Sequence, residues 1–148
     1  MYSHIMAATD GSELADKAVG CGIKLAASLK ARLTIAHIGI PYSPPVYAGD
    51  IVPATLVSPE EHEQRVREAA DKILTHGRER AEAAGVTTSV VFDYGDAPHE
   101  TLIALAEKGG CDLIVMASHA RRGLGALLLG SETQKVLSHT KIAVLVIR

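Results

Sequence analysis

The stretch ASHARRGLGALLLGS at residues 117–131 combines residue types and spacing that suit the binding of an anion. It follows a short apolar run, contains no acidic residue, and ends on Gly130 and Ser131, which can begin a helix. The residues that supply cationic or hydrogen-bond-donating side chains are His119, Arg121 and Arg122. Free N–H groups and the dipole at a helix start favour a phosphate. The same features also fit a plain helix start after a solvated loop, so the residues alone leave both interpretations open.

A carboxylate stands at a second position that suits a ligand. The stretch TDGS at residues 9–12 follows the first apolar run, and Asp10 is the only acidic residue near the end of that run. Ligands of open parallel sheets bind beyond the carboxyl ends of the strands, where the strand order reverses. Asp10 is therefore either a ligand-binding residue, or a turn aspartate or helix cap.

These residues are positioned by an alternation of strand-like and helix-like segments. Five short apolar runs predict strands at residues 4–9, 32–38, 87–92, 112–117 and 142–147. Strands that alternate with helices imply right-handed crossovers, and near-continuous apolar strands are typical of a parallel sheet buried on both sides. The fold class is therefore α/β, an open five-stranded parallel sheet with helices on both faces, in one domain over residues 1–148.

Four segments of helical period follow the first four strands. Ser12 is predicted to cap the first helix, and the second covers residues 58–84. The third is predicted to open at Asp96. A short fourth helix is predicted to open at Ser131, with Gln134 at the spacing of a capping box.

The connection after the second strand is unusually long. Residues 39–58 contain four prolines and follow a strand end at the ligand side of the sheet. Such a length is uncommon for an ordinary connection. We expect this segment to be a lid or a mobile loop.

The composition indicates a soluble chain and gives no signal for a polymer partner. The chain has 148 residues, 47% of them hydrophobic, and a formal net charge of −2. Interspersed charges provide no basic footprint for nucleic acid, and no apolar stretch approaches the roughly 20 residues that a membrane helix needs. Cys21 and Cys111 lie in apolar segments without a CxxC pattern, so we expect reduced core residues. We expect a cytoplasmic protein without nucleic-acid or membrane partners.

Sequence patterns of common enzymes and metal sites are absent. The seven histidines are scattered, and no pair stands with a carboxylate at the spacing of a metal site. The chain has no GxSxG, no GxxxxGK[ST] and no strand-linked GxGxxG. No general base is evident beyond Asp10 and His119, so a dedicated enzyme such as a nucleotide hydrolase is the least favoured function, and no catalytic or metal-binding residue is predicted.

Over essentially its whole length the chain resembles the universal stress proteins. The resemblance rests on HIMAATDGSELADKAV, LTIAHI, DLIVMASHARRGLGALLLGS and ETQKVLSHTKIAVLVIR, in that order. It implies a Rossmann-like fold of the adenine nucleotide alpha hydrolase type, with strand order 3-2-1-4-5, and a role in stress-linked regulation. It also implies a homodimer through the last strand, at Ala143, Val144, Leu145, Val146 and Ile147. That strand has no charge, proline or glycine, so as an exposed edge it would invite uncontrolled pairing.

Members of this family that bind ATP carry glycine, two residues, glycine, nine residues, and then glycine followed by serine or threonine. In this chain the register holds Ala117, Ala120, Gly130 and Ser131, so the last pair is kept and both leading glycines are alanine. If either position needs a positive φ, alanine costs on the order of 1 kcal/mol or more, and its Cβ limits the approach of an anion. The resemblance implies ATP or AMP as the ligand, with Mg²⁺ possible beside ATP.

The nucleotide-binding residues that the resemblance implies are Ala8, Thr9, Asp10, Ile38, Met116, Ala117, His119, Ala120, Arg121, Gly130, Ser131 and Glu132. Asp10 and the backbone around Ile38 would meet the base. The 117–120 turn, Gly130 and Ser131 would meet the ribose and the phosphates. Two hypotheses follow: a nucleotide-binding regulatory module with slow or absent hydrolysis, or a dimeric stress protein that binds no nucleotide and acts through protein partners.

Overall fold

The computed structural model describes residues 1–45, 57–119 and 129–148, and within them a parallel sheet is flanked by helices. The strands are β1 (His4–Ala8), β2 (Arg32–Gly39), β3 (Thr88–Tyr94), β4 (Leu113–Ala117) and β5 (Ala143–Ile147). The helices are α1 (Glu13–Leu29), α2 (Pro59–Ala83), α3 (Pro98–Gly109) and α4 (Ser131–His139). The sheet has five strands, all paired in parallel, in the order β3-β2-β1-β4-β5. Both the predicted fold class and the predicted strand order are confirmed.

The strand order reverses at β1. From β1 the chain passes to β2 and β3 on one side, and then returns to β4 and β5 on the other side. The connections that leave the carboxyl ends of β1 and β4 therefore diverge to opposite faces. In open parallel sheets this divergence makes the crevice in which ligands bind.

The core is built in two layers, one on each face of the sheet. Ile5, Ala7 and Val115 pack with residues of α1 and α2 on one face. Met6 and Ile114 pack with residues of α3 and α4 on the other face. Neighbouring strand residues alternate between the two layers, which explains why the strands read as near-continuous apolar runs.

Local signals define most helix starts; one predicted start and one predicted cap are wrong, while α4 begins at Ser131 as predicted. Ser12 caps α1 as predicted, since its side chain accepts a hydrogen bond from the Ala15 N–H. The third helix begins at Pro98 rather than Asp96, because a proline at the first position fixes φ and needs no donor. The capping box predicted at Ser131 is absent: Gly130 is the N-cap of α4, and the Gln134 side chain donates to the carbonyl of Leu129.

Two predicted features extend outside the described residues. The lid or mobile loop predicted at 39–58 falls largely on residues 46–56, which the structure does not describe. Ala120 and Arg121, two members of the predicted nucleotide-binding set, fall on residues 120–128, which are likewise not described. Across the described ranges, no helix is long and apolar enough to cross a membrane.

Candidate functional site

A cavity of about 210 Å³ opens at the carboxyl ends of β1, β2 and β4. Its walls are mostly apolar, and Asp10 and His119 stand at its border. The predicted site residues that line it are Ala8, Thr9, Asp10, Ile38, Met116, Ala117 and His119. We call this space the apolar cavity.

A second cavity, of about 410 Å³, lies at the start of α4 and is more polar. The predicted site residues that line it are Ala117, His119, Gly130, Ser131 and Glu132. We call this space the α4 cleft. Ala117 and His119 line both cavities, so the two adjoin at those residues. Every described residue of the predicted nucleotide-binding set thus lines one cavity or the other, and their role in binding stays a prediction.

The β1–α1 loop and the end of β4 meet through three polar side chains. His119 Nε2 lies 3.2 Å from Asp10 Oδ2 and 3.1 Å from Ser12 Oγ. The Ser12 N–H donates to Asp10 Oδ1 at 2.9 Å, and Ser12 Oγ also accepts from the Ala15 N–H. Asp10 is therefore not the residue that caps α1; it orders the turn and faces the crevice.

The Asp10 carboxyl is kept ionised by its neighbours. Burial by itself would raise the pKa of Asp10, but hydrogen bonds from the Ser12 side chain and backbone, together with the contact to His119, outweigh it. The net result is a pKa of Asp10 below its ordinary value. An ionised carboxylate in this position accepts hydrogen bonds and donates none.

Ala117 belongs to β4, and its backbone is extended. It pairs with Ile147 of β5, and among the described non-glycine residues only Lys30 has a positive φ. The Ala117 methyl group therefore causes no backbone strain, and any cost that it imposes on a ligand is steric. Of the two alanines that replace signature glycines, only Ala120 could therefore carry a cost that comes from a positive φ.

Gly130 lies close to the backbone that leaves β4. A Cβ built at Gly130 would stand 3.1 Å from the carbonyl oxygen of His119. The Gly130 N–H donates to Ser118 Oγ at 2.9 Å, and Ser118 is buried. Its φ of −55° is open to any residue, so close approach rather than backbone conformation requires the glycine.

Glu132 is engaged by protein groups in the first turn of α4. Its Oε2 accepts from the backbone N–H of His99 and lies 3.2 Å from His99 Nδ1, and its Oε1 lies 2.8 Å from Lys135 Nζ. The Lys135 ammonium and, to a lesser degree, His99 hold the pKa of Glu132 below its ordinary value against the opposing effect of burial. Glu132 thus joins α4 to the start of α3.

The family follows from comparison with known proteins. The family model described as the universal stress protein family matches residues 1–148. The chain belongs to the universal stress protein family. Universal stress protein YxiE of Bacillus subtilis is 31% identical over 152 residues, and a universal stress protein of Thermus aquaticus is 33% identical over 153 residues; each match covers all of both chains.

Solved structures show the same fold. A universal stress protein structure from Burkholderia pseudomallei aligns with a TM-score of 0.77 at 24% identity, covering 99% of this chain and 96% of that one. A universal stress protein solved in complex with cAMP aligns with a TM-score of 0.73 at 28% identity, covering 99% and 97%.

Several residues that line the apolar cavity of this universal stress protein were missed by sequence reasoning. They are Ala15, Ala36, Ile40, Pro98, His99 and Leu102. Most of them are apolar, and from the sequence alone an apolar residue that lines a cavity cannot be told from one that packs in the core. Pro98 could have been predicted, because a proline soon after a strand marks a helix start. The first turn of a helix that follows a strand lies at the ligand side of the sheet.

No metal site is formed by protein groups alone in residues 1–45, 57–119 and 129–148. No three histidine, cysteine, aspartate or glutamate residues in those ranges come together in a way that could hold a metal ion. The cysteines Cys21 and Cys111 are both free, and only Cys111 is fully buried.

Proposed function

We propose that this universal stress protein is a regulatory module that binds an adenine nucleotide, ATP or AMP, at the carboxyl ends of β1 and β4. The observation that carries the proposal is the pair of adjoining cavities, one apolar and one at a helix start. A flat apolar base and a charged phosphate chain need two such environments side by side. Binding sites of this type are largely preformed and carry a few well-placed polar groups.

The backbone of Ile38 offers a hydrogen-bonding edge for the base. Pairing between β1 and β2 ends at Ala8 and Ala36, while β2 continues to Gly39. The Ala36 carbonyl accepts from the Thr9 N–H on the β1 side. Because backbone groups alternate sides along a strand, the N–H and C=O of Ile38 point to the same side, beyond the end of β1. Together they form a donor and acceptor pair beside the apolar cavity.

The start of α4 offers donors for the phosphates. The first N–H groups of an α-helix have no partner within the helix, and the helix dipole adds a partial positive charge there. Ser131, the first residue of α4, adds a hydroxyl that lines the α4 cleft. If Mg²⁺ accompanies ATP, the carboxylates nearest the two cavities are Asp10 and Glu132, and both are already hydrogen-bonded to protein groups. The ion would therefore be held chiefly by the phosphates. The sequence offers no evident general base beyond Asp10 and His119, so we propose that hydrolysis is slow or absent.

The relative solved in complex with cAMP supports an adenine nucleotide as the ligand. Its identity of 28% over nearly the whole chain exceeds that of the Burkholderia pseudomallei structure, which supports the fold alone. We propose a cytoplasmic location for the protein.

We also propose a homodimer through β5. This strand is at one edge of the sheet, and Val144, Leu145, Val146 and Ile147 are each only partly buried. An unpaired apolar edge of this kind needs a cover. Light scattering should give about twice the chain mass of 15.6 kDa, and Val144→Pro should lower the dimer fraction by removing an N–H donor.

A second candidate function is a dimeric stress protein that binds no nucleotide and acts through protein partners. It is favoured by Ala117 and Ala120, which replace the two leading glycines of the ATP signature. The two candidates differ in one measurable property, the affinity for adenine nucleotides.

The test is a calorimetric titration of nucleotide-free protein with ATP, ADP and AMP, after an acid extract of the purified protein has been checked for adenine absorbance. Ser131→Ala should weaken ATP binding by roughly 0.5 to 1.5 kcal/mol through the loss of one hydroxyl. Ser138→Ala, at the far end of α4, is the matched control and should bind as the wild type does. If the wild type binds none of the three at millimolar concentration, the second candidate replaces the first.

A further inference from the structure

The contact between His119 and Asp10 joins the two sides of the crevice. Asp10 lies between β1 and α1, whereas His119 lies two residues beyond β4. The His119 side chain is 54% exposed and the Asp10 side chain is 61% exposed, although His119 Nε2 and Asp10 Oδ2 are 3.2 Å apart. This is an exposed contact at the border of the apolar cavity, so a ligand can reach and displace it.

The proton on His119 can be assigned from its partners. A carboxylate only accepts, so Nε2 must carry a hydrogen in order to bond Asp10 Oδ2, and Ser12 Oγ at 3.1 Å is close enough to share it. Protonation of the ring at Nδ1 leaves this N–H in place and adds a full positive charge. The bond to the ionised Asp10 is charge-assisted even while the ring is neutral, and a charged ring adds the attraction between opposite charges. The contact therefore tightens when the ring becomes charged.

We propose that His119 is a pH-sensitive latch on the nucleotide crevice: it holds the Asp10 carboxylate in competition with the ligand, and it holds it more firmly as the pH falls. The inference rests on the proposed nucleotide function. Imidazole groups gain their charge within the physiological range, which no other common side chain does without perturbation. The latch thus links nucleotide occupancy to acidification.

Other charged groups at the two cavities do not replace Asp10 as the partner of His119. The remaining titratable residues that line these cavities within the described ranges are His99 and Glu132. Glu132 is bonded to His99 and Lys135. Asp10 stays ionised across the range in which an imidazole titrates, since its pKa lies below its ordinary value.

The test uses adenosine and cAMP, neither of which changes charge between about pH 5.5 and about pH 8, the range in which an imidazole titrates. The variants are His119→Gln, which keeps a neutral donor, and His119→Ala, which removes the latch. His76→Gln is the matched control, because His76 lies on α2 at 3.8 Å from Asp16 and is likewise exposed. Affinity is measured by calorimetry at both pH values.

The expected result is that adenosine and cAMP both bind the wild type about two- to fivefold more weakly at the lower pH, the range for one exposed ion pair. Both His119 variants should lose this pH dependence, His119→Ala should bind more tightly than the wild type at the lower pH, and His76→Gln should follow the wild type. A flat wild-type profile overturns the latch and leaves the proposed function standing. The latch is also overturned, and the proposed function kept, if cAMP binds more tightly at the lower pH while adenosine binding does not change. The imidazolium would then be a phosphate ligand. If no protein binds either compound, the latch falls; the proposed function falls with it only if ATP, ADP and AMP also fail to bind at millimolar concentration.

Discussion

Aspartate and histidine meet at both ends of the sheet, but their polar atoms are used differently at the two ends. At the amino ends of the strands, Asp112 accepts from the Ser3 N–H at 2.8 Å, the Ser3 hydroxyl at 2.7 Å and the His4 N–H at 3.0 Å. The His4 ring is buried, with Nδ1 3.0 Å from the Gly109 carbonyl and Nε2 2.8 Å from Thr34 Oγ1. These groups join β1 to β2, β4 and the end of α3.

At the carboxyl ends, Asp10 and His119 meet through one contact at the border of two cavities, and both are more than half exposed. The polar groups of Asp112 and His4 at the amino end are all hydrogen-bonded to other protein groups and stabilise the fold. Those of the carboxyl end remain accessible to a ligand. Residue type alone therefore does not indicate function here; burial and the number of protein partners do.

The largest expected effect comes from filling the α4 cleft. Gly130→Val places a Cβ about 3.1 Å from the His119 carbonyl oxygen and adds two methyl groups beside it. We expect ATP affinity to fall about 100-fold, at the upper end of the cost of overpacking a close contact. Adenosine, which has no phosphate, should lose less than about threefold. Calorimetry with both ligands checks this, and an equal loss of both would mean that the two cavities do not act separately.

Removing the two carboxylates separates stability from binding. Asp112→Ala should lower the free energy of unfolding by about 2 kcal/mol, since hydrogen bonds to charged groups contribute 1.5 to 3 kcal/mol. Asp10→Ala should cost less than about 1 kcal/mol of stability, as expected for an exposed pair, and should weaken nucleotide binding. Urea denaturation and calorimetry give both quantities. A larger stability loss for Asp10→Ala than for Asp112→Ala would reverse the assignment of the two ends.

Restoring the signature glycines should strengthen the α4 cleft. We expect Ala117→Gly with Ala120→Gly to tighten ATP binding about tenfold or more. Ala117→Gly alone should change it by less than about threefold, because Ala117 has no positive φ to relieve and the gain is steric only. Titration of the single and double variants tests this. If Ala117→Gly alone tightened ATP binding as much as the double variant, steric relief at Ala117 would explain the gain and the prediction would be wrong.

The smallest expected effect is a pH dependence of stability at the amino end. Burial and the Arg32 charge hold the pKa of His4 below its ordinary 6.5 despite opposing effects of Gly109 and Asp112. The unfolded chain then binds the proton more readily, so stability is full above the unfolded pKa and falls as the pH drops from about 6.5 toward the folded pKa. His4→Gln should flatten this part of the profile. A wild-type stability that rises on acidification through this window would contradict the account.

Much of the fold could be predicted from the sequence because its signals are local. Apolar runs of six or seven residues predicted the strands, and serine caps predicted the starts of α1 and α2. The start of α3 was misplaced because Asp96 resembled a cap, whereas Pro98 defines the first turn. The predicted capping box at Ser131 does not form, because the Gln134 side chain donates a hydrogen bond to the carbonyl of Leu129 instead.

The candidate site could be predicted only in part. Gly130, Ser131 and Asp10 stood out by type and by position after a strand, whereas Ile38 was implied by the family resemblance. The contact of Asp10 with His119 joins residues 109 positions apart in the sequence, and no local pattern signals it. Cavity-lining residues such as Ala36 and Leu102 carry the same apolar signal as the core.

The central claim is that the carboxyl end of the sheet binds an adenine nucleotide while the amino end only stabilises the fold. The most direct measurement is an amide NMR titration with ATP that follows each backbone N–H. We predict saturable shifts at Thr9, Asp10, Ile38, Ser131 and their neighbours, with none at His4 or Asp112. The absence of shifts at millimolar ATP, or shifts confined to the amino end, would contradict the claim.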